Sequence, residues 1–173
     1  MKKIAVLIED YFNAFELIYP YYRLKEEGYE TILVGPTERV YHSENGLDMK
    51  AEKSIDDINF DEFEGVVIPG GYGPDRLRRN EKVLNFVKKM FDSNKLVAAI
   101  CHGPWVLISA KITNGLTLTC VPSIKDDVKN SGAKYVDESV VVDGNLVTSR
   151  GPADLPDFMR EVVKFLKGEG NIL

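Results

Sequence analysis

Four short apolar runs, each followed by a stretch of helical character, constrain this chain more than any other feature. They are residues 3–8 (KIAVLI), 30–35 (ETILVG), 65–68 (GVVI) and 96–100 (LVAAI). Unbroken apolar runs of this length, bounded by turn residues, fit strands covered on both faces rather than strands with one wet side. The segments after them carry helical spacing: 17–27, closed by Gly28, then 75–90 and 103–112. Strands alternating with helices predict a mostly parallel, doubly wound, flavodoxin-like α/β sheet with helices on both faces. At 173 residues the chain is the size of one domain, read here as spanning 1–173.

Pro20 belongs near the first turn of its helix, where a missing N–H costs little, which places the helix start around residues 14 to 17. The pattern weakens over 36–60, with 39–42 as a short strand and Glu44-Asn45-Gly46 as a turn. Beyond Gly115, TLTCV (117–121) reads as a strand, 124–130 as a helix, and 140–149 as a hairpin turning on Asp143-Gly144. The last helix, about 153–167, sets Leu155, Phe158, Met159, Val162, Val163 and Leu166 on one face.

Charge and composition remove several function classes. The 22 basic and 27 acidic side chains leave a net charge of −5, with no long basic stripe to attract a phosphate backbone. No apolar run approaches a membrane span, and the N-terminal one gives way after five residues to two acids, unlike a signal peptide. A cytoplasmic location follows as the expectation. Two cysteines and two histidines supply neither a disulfide framework nor a structural zinc site, so neither metal nor cofactor is expected.

In open parallel sheets, sites form beyond the carboxyl ends of the strands. Three such connections are chemically loaded: Glu9 to Glu16, Pro69 to Asp75, and Cys101-His102-Gly103-Pro104. Ala99 and Gly103 flank Cys101 at the spacing of a nucleophile elbow, a tight strand-to-helix turn that exposes its central side chain. At a helix start, free N–H groups and the helix dipole favour a thiolate, and lowering the thiol pKa by ~2 units makes it mostly ionised at pH 7. The N–H groups of Gly71 and His102 are candidate oxyanion donors. The bland alternative for Cys101 is a small buried hydrophobe, which is also the reading for Cys120. His102 is either a general base or a surface or capping residue, since neighbours in sequence do not normally face each other on a helix. Glu16 is either a first-turn acid or a proton partner of the thiol, and Asp75 is either a helix cap or part of the site. His42 reads as solvated.

The stretches EDYFNAFELIYPYYRLKEEGYE, VVIPGG, AICHGP and SRGPADL resemble, in sequence and order, the PfpI family of intracellular cysteine proteases and deglycases. That family lies within the superfamily of the Parkinson-disease-associated deglycase, with a class I glutamine-amidotransferase-like fold. The resemblance implies Cys101 as nucleophile, Glu16 as its carboxyl neighbour, Gly71 and His102 as backbone oxyanion donors, and homo-oligomers (dimers or hexamers) with sites at subunit interfaces. It also implies His102 as base, oriented by an acid from the adjacent subunit that maps to Asp75. Asn13, Tyr72, Val121 and Arg150 are the expected pocket residues. Asn13 stands where some members carry an acid, and Val121 where relatives carry a tyrosine or histidine.

Three functions fit these residues: conversion of reactive carbonyls such as methylglyoxal or their adducts, peptide hydrolysis by Cys101, His102 and Asp75, and redox sensing or holdase activity through an oxidisable thiol. The partner is accordingly a small carbonyl or a peptide or protein substrate, not nucleic acid or membrane.

Overall fold

A computed structural model describes residues 1–169. The four apolar runs become β1 (Lys3–Leu7), β2 (Glu30–Gly35), β6 (Phe63–Ile68) and β7 (Leu96–Ile100). Between β2 and β6 lie a small antiparallel hairpin, β3 (Val40–His42) with β4 (Asp48–Lys50), and an edge strand, β5 (Lys53–Ser54). The helices are α1 (Ala14–Glu26), α2 (Gly73–Leu77), α3 (Glu81–Asp92), α4 (Pro104–Ser109), α5 (Lys125–Asn130) and α6 (Leu155–Leu166). The C-terminal third adds β8 (Thr117–Leu118), β9 (Lys134–Tyr135), β10 (Val140–Asp143) and β11 (Leu146–Ser149).

The main sheet runs β10-β11-β7-β6-β1-β2-β5, parallel throughout except for β10. The doubly wound, mostly parallel sheet is thus the one the apolar runs predict. The chain builds outward from β1 to β2 and β5, then returns to place β6 on the other side of β1. That reversal opens a crevice at the ends of β1, β6 and β7, where ligands bind in such sheets.

Strand alternation divides the core in two. Ala5, Leu7, Val66, Ile68, Val97 and Ala99 face α3 and α4, packing against Val83, Phe86, Val87, Met90, Val106 and Leu107. Ile4, Val6, Ile8, Val67, Ala98 and Ile100 face α1 and α6, packing against Leu17, Leu24, Phe158, Met159 and Val162. Each fully buried aliphatic side chain contributes roughly 1.5–3 kcal/mol from leaving water. The face expected on the last helix is the buried one of α6, with Leu155, Phe158, Met159, Val162 and Val163 inside.

Four details differ from the sequence reading. The α1 helix does start at Ala14, but Pro20 lies in its second turn rather than its first, and is buried there. Tertiary packing of the apolar face tolerates the lost bond to the Glu16 carbonyl. The helical stretch 75–90 is two helices, broken where Asn80 caps α3 by accepting from Lys82 and Val83 N–H. The strand expected over 117–121 shrinks to β8, which pairs with β9 outside the main sheet. The hairpin of β10 and β11 turns on Gly144-Asn145, one residue later than expected, with Gly144 at positive φ.

Candidate active site

The elbow is present in the backbone. Cys101 has φ 64°, a left-handed conformation that a residue with a Cβ rarely adopts. Its N–H donates to the Ser149 carbonyl (3.0 Å), its carbonyl accepts from Val121 N–H (3.0 Å), and these bonds hold the strained turn between β11 and the segment after β8. A Cβ on Gly103 would stand 2.7 Å from the Ile68 carbonyl oxygen, so the small neighbour is required by close approach.

The loops after β1 and β6 are stitched together above the elbow. Tyr72 N–H donates to the Tyr11 carbonyl (2.8 Å) and Asn13 N–H to the Gly70 carbonyl (3.0 Å). Phe12 bridges to Gly71 on one side and to Ser43 on the other. Asn13 caps α1, its Oδ1 accepting from Phe15 N–H (3.0 Å) and Glu16 N–H (3.2 Å), while Asn45 Oδ1 accepts from Ala14 N–H (2.8 Å). With the first turn so fixed, Glu16 projects inward and is fully buried.

Its Oε1 accepts from Gly70 N–H (2.9 Å), and its Oε2 has no hydrogen-bond partner among the described residues. A Cβ on Gly70 would collide with Glu16 Oε1 and come within 2.6 Å of the Cys101 Cβ. The bare glycine is what lets carboxyl and thiol share one space. Gly71, at φ 74°, turns its N–H toward the sulfur, where the His102 N–H joins it. Both expected oxyanion donors therefore converge on Cys101.

The electrostatics depart from expectation at the thiol. Burial, joined by the nearby Glu16 and Glu44 charges, pushes Cys101 up to about 12, against the pull of the Gly71 and His102 N–H groups. A position ahead of the six-residue α4 does not outweigh desolvation, so the resting thiol is protonated rather than ionised. Burial likewise pushes Glu16 up to about 8, opposed by the Gly70 N–H, so its carboxyl is largely neutral at pH 7. A neutral Glu16 stops repelling charge on sulfur and becomes a donor to it.

His102 does face the thiol: its Nδ1 lies 3.5 Å from Cys101 Sγ, a geometry that the positive φ of the elbow permits. Burial lowers the imidazole pKa, keeping it neutral and able to accept a proton. Its ring packs between Tyr72 (centroids 5.2 Å apart) and Trp105 (4.8 Å), and Trp105 is itself pinned by Nε1 donating to Asp127 Oδ2 (2.9 Å).

The other expected residues divide. Tyr72, exposed beside His102, and Val121, hydrogen-bonded to the elbow, border the site. Asp75 is on the exposed surface of α2, where its carboxylate pairs with Arg79 (2.9 Å). Arg150 is committed elsewhere: Nε and Nη2 donate to the Asp154 carboxylate (2.8 and 3.0 Å) and Nη1 to Asp137 (3.0 Å), steadying the loop after β11. His42 is exposed and paired with Asp48, and Cys120 is fully buried in the core. Two residues escaped the sequence reading. Trp105 lies inside the helical stretch expected over 103–112 and carries no local mark of a site residue. Glu44 belongs to the turn expected at 44–46, and long-range contacts of Phe12, Asn13 and Ala14 with residues 43–45 bring it to the site.

Residues 2–165 match the DJ-1/PfpI family model, and the chain belongs to that family. It is 47% identical over 165 residues to deglycases of Pyrococcus abyssi and Pyrococcus furiosus, covering 95% of this chain and 99% of each relative. It is 43% identical over 170 residues to protein/nucleic acid deglycase 2 of Escherichia coli, covering 95% and 98%. Among solved structures, Drosophila melanogaster DJ-1beta superposes with a TM-score of 0.90 at 28% identity, covering 95% of this chain and 90% of that one. A two-domain Anabaena variabilis protein with DJ-1/ThiJ/PfpI-like and ferritin-like domains gives 0.94 at 41% identity, over 98% of this chain and 49% of that one. No described helix is long and apolar enough to cross a membrane.

Proposed function

We propose that this chain is a cysteine-dependent deglycase of the glyoxalase type, converting α-oxoaldehydes or their adducts to hydroxy acids. The observation that carries this reading is the Glu16 carboxyl, buried with one oxygen free and raised to about 8, in the same pocket as Cys101. Peptide hydrolysis has no evident use for a second proton carrier there. Moving a hydrogen between the two carbonyl carbons of a dicarbonyl requires one.

As Cys101 sulfur adds to the aldehyde carbon, neutral His102 takes the thiol proton through Nδ1, and the Gly71 and His102 N–H groups receive the charge growing on oxygen. From an amine adduct, sulfur displaces the amine, which leaves with a proton from His102, and the same hemithioacetal results. Ionised Glu16 then removes the hydrogen from C1 and returns it as a proton to C2. C1 is oxidised to a thioester as C2 is reduced to an alcohol, the hydroxyl proton on C1 passing to the oxygen on C2. Water cleaves the thioester to the hydroxy acid and restores the thiol, so the net consumption is one water. A carboxyl titrating near 8 populates both forms it needs near neutral pH. Purified protein incubated with methylglyoxal is expected to form lactate, and Cys101→Ala is expected to form none above background; equal rates would sink the reading.

The 3.5 Å approach of His102 Nδ1 to the thiol favours a second reading, a cysteine peptidase. Its triad is completed by Asp75 of a neighbouring subunit accepting from His102 Nε2. Asp75→Asn, assayed with fluorogenic peptides in an oligomer of unchanged size, is expected to lose most cleavage. Retained cleavage would count against that triad.

A further inference from the structure

The turn after β3 brings a charge to the thiol that no other part of the site balances. Phe12 bridges to Gly71 and to Ser43 at once, and Glu44 N–H donates to the Phe12 carbonyl (3.0 Å), so the 43–45 turn is one backbone away from the oxyanion donors. The Glu44 carboxylate accepts from Asn13 Nδ2 (3.2 Å), the amide of the residue that caps α1. Asn13 is neutral, and among the described residues no cationic group pairs with Glu44. Other acids around the crevice are paired: Glu9 and Asp10 with Arg39, Asp75 with Arg79, Asp154 with Arg150. Glu44 also acts at a distance on three site groups, adding to the burial that raises Glu16 and Cys101 and opposing the burial that lowers His102. With Glu16 mainly neutral, the exposed Glu44 carboxylate, held to the α1 cap, is the acid beside the site that no described cation offsets.

We infer that Glu44 is a specificity-determining residue of the Cys101 site, selecting carbonyl adducts carried on basic side chains over neutral adducts and free dicarbonyls. The inference rests on the deglycase reading for its substrate class, and on geometry alone for its sign. An adduct on a guanidinium keeps its positive charge, whereas a hemithioacetal on cysteine and free methylglyoxal have none. A carboxylate at the entrance attracts the first and leaves the others unaided.

The test separates charge preference from turnover. Cys101 is modified with three methanethiosulfonates, neutral methyl, cationic trimethylammonioethyl and anionic sulfonatoethyl, in the parent, Glu44→Gln and Glu44→Lys. Rates are read by peptide mass so that Cys120 is counted apart. The neutral reagent corrects for any change in thiol ionisation. The cation-to-anion rate ratio is expected to fall about tenfold in Glu44→Gln and to invert in Glu44→Lys, each variant having melting behaviour close to the parent's. A ratio constant within twofold across the three proteins would overturn the inference. In parallel, release from methylglyoxal adducts of N-acetylarginine amide and N-acetylcysteine amide is compared with turnover of free methylglyoxal. The arginine preference is expected to drop by the same factor in Glu44→Gln, and a preference indifferent to residue 44 would overturn the assigned substrate class. If no substrate turns over in any protein while the reagent ratio still follows residue 44, it is the deglycase reading that has failed.

Discussion

Cys101 and Cys120 have the same side chain, and burial, joined by nearby carboxylates, pushes both thiols up to about 12, yet the groups that touch their sulfurs differ. Cys120 lies in the core on the α3 and α4 side of the sheet, fully buried. Cys101 borders the core on the α1 and α6 side, partly exposed, with two N–H donors, an imidazole and a carboxyl around its sulfur. On the proposed function, the contrast teaches that a high resting pKa does not by itself mark an inert thiol. Reactivity depends on whether donors and a base wait where charge appears during attack, an arrangement that stabilises the transition state rather than the resting anion.

The largest expected effect breaks the comparison outright. Cys101→Ala should lower lactate formation from methylglyoxal by ~10³-fold or more, while Cys120→Ala should leave kcat/KM within about twofold. Comparable losses at both positions would show that burial, not surroundings, is what the two share.

The next effect concerns the buried carboxyl beside Cys101. Glu16→Gln keeps the shape and the oxygen that meets Gly70 but cannot carry a proton, and should lose roughly 10²–10³ in turnover. Stability provides an independent reading. Glu16 titrates near 4.5 when unfolded and near 8 when folded, so its favourable linkage is full below the lower value and fades as pH rises through the upper. From pH 5 to pH 8 the parent should therefore lose stability relative to Glu16→Gln by on the order of 3 kcal/mol, measured by denaturant titration at both pH values. Parallel pH profiles would place Glu16 in a more hydrated site than the one described.

The sheet was legible because buried strands and amphipathic helices leave local patterns, and the four apolar runs and the α6 face needed nothing else. The elbow was legible for the same reason, since Ala99, Cys101 and Gly103 lie within five residues. What escaped depends on distance in sequence. The split at Asn80 turned on one cap competing with helical spacing, and β8 lost its place because β11, not the 117–121 segment, pairs with β7. The depressed thiol pKa was inferred from helix position and ignored how deeply the Glu16 and Gly70 contact encloses the sulfur. Glu44 could not be found from its own neighbours, because its turn reaches the site through Phe12.

A smaller effect sharpens the comparison in the protein at rest. Under mild peroxide at pH 7.5, Cys101 should oxidise at least about tenfold faster than Cys120, because access and the surrounding donors favour it although both thiols titrate high. Peptide mass spectrometry reads both sites in one digest, and equal oxidation would show Cys120 to be more accessible than its burial implies.

The smallest effect places one identical change at both cysteines. Serine replaces a weakly polar thiol with a hydroxyl that must be hydrogen-bonded when buried. At position 101 the Gly71 and His102 N–H groups and Glu16 already surround that atom, so Cys101→Ser should cost under about 1 kcal/mol. At position 120 the thiol has no hydrogen-bond partner among the described residues and is in apolar packing, so Cys120→Ser should cost about 1–3 kcal/mol, the desolvation of an unpaired hydroxyl. Chemical denaturation at a pH where Glu16 is neutral isolates this difference from its titration. Equal costs would mean either that Cys120→Ser finds an acceptor, with the nearby Thr119 and Tyr135 hydroxyls as the candidates, or that the N–H groups at Cys101 turn away once sulfur is gone. Thr119→Val in the Cys120→Ser background decides between these outcomes, because only a rescued hydroxyl becomes costlier when its neighbour is removed.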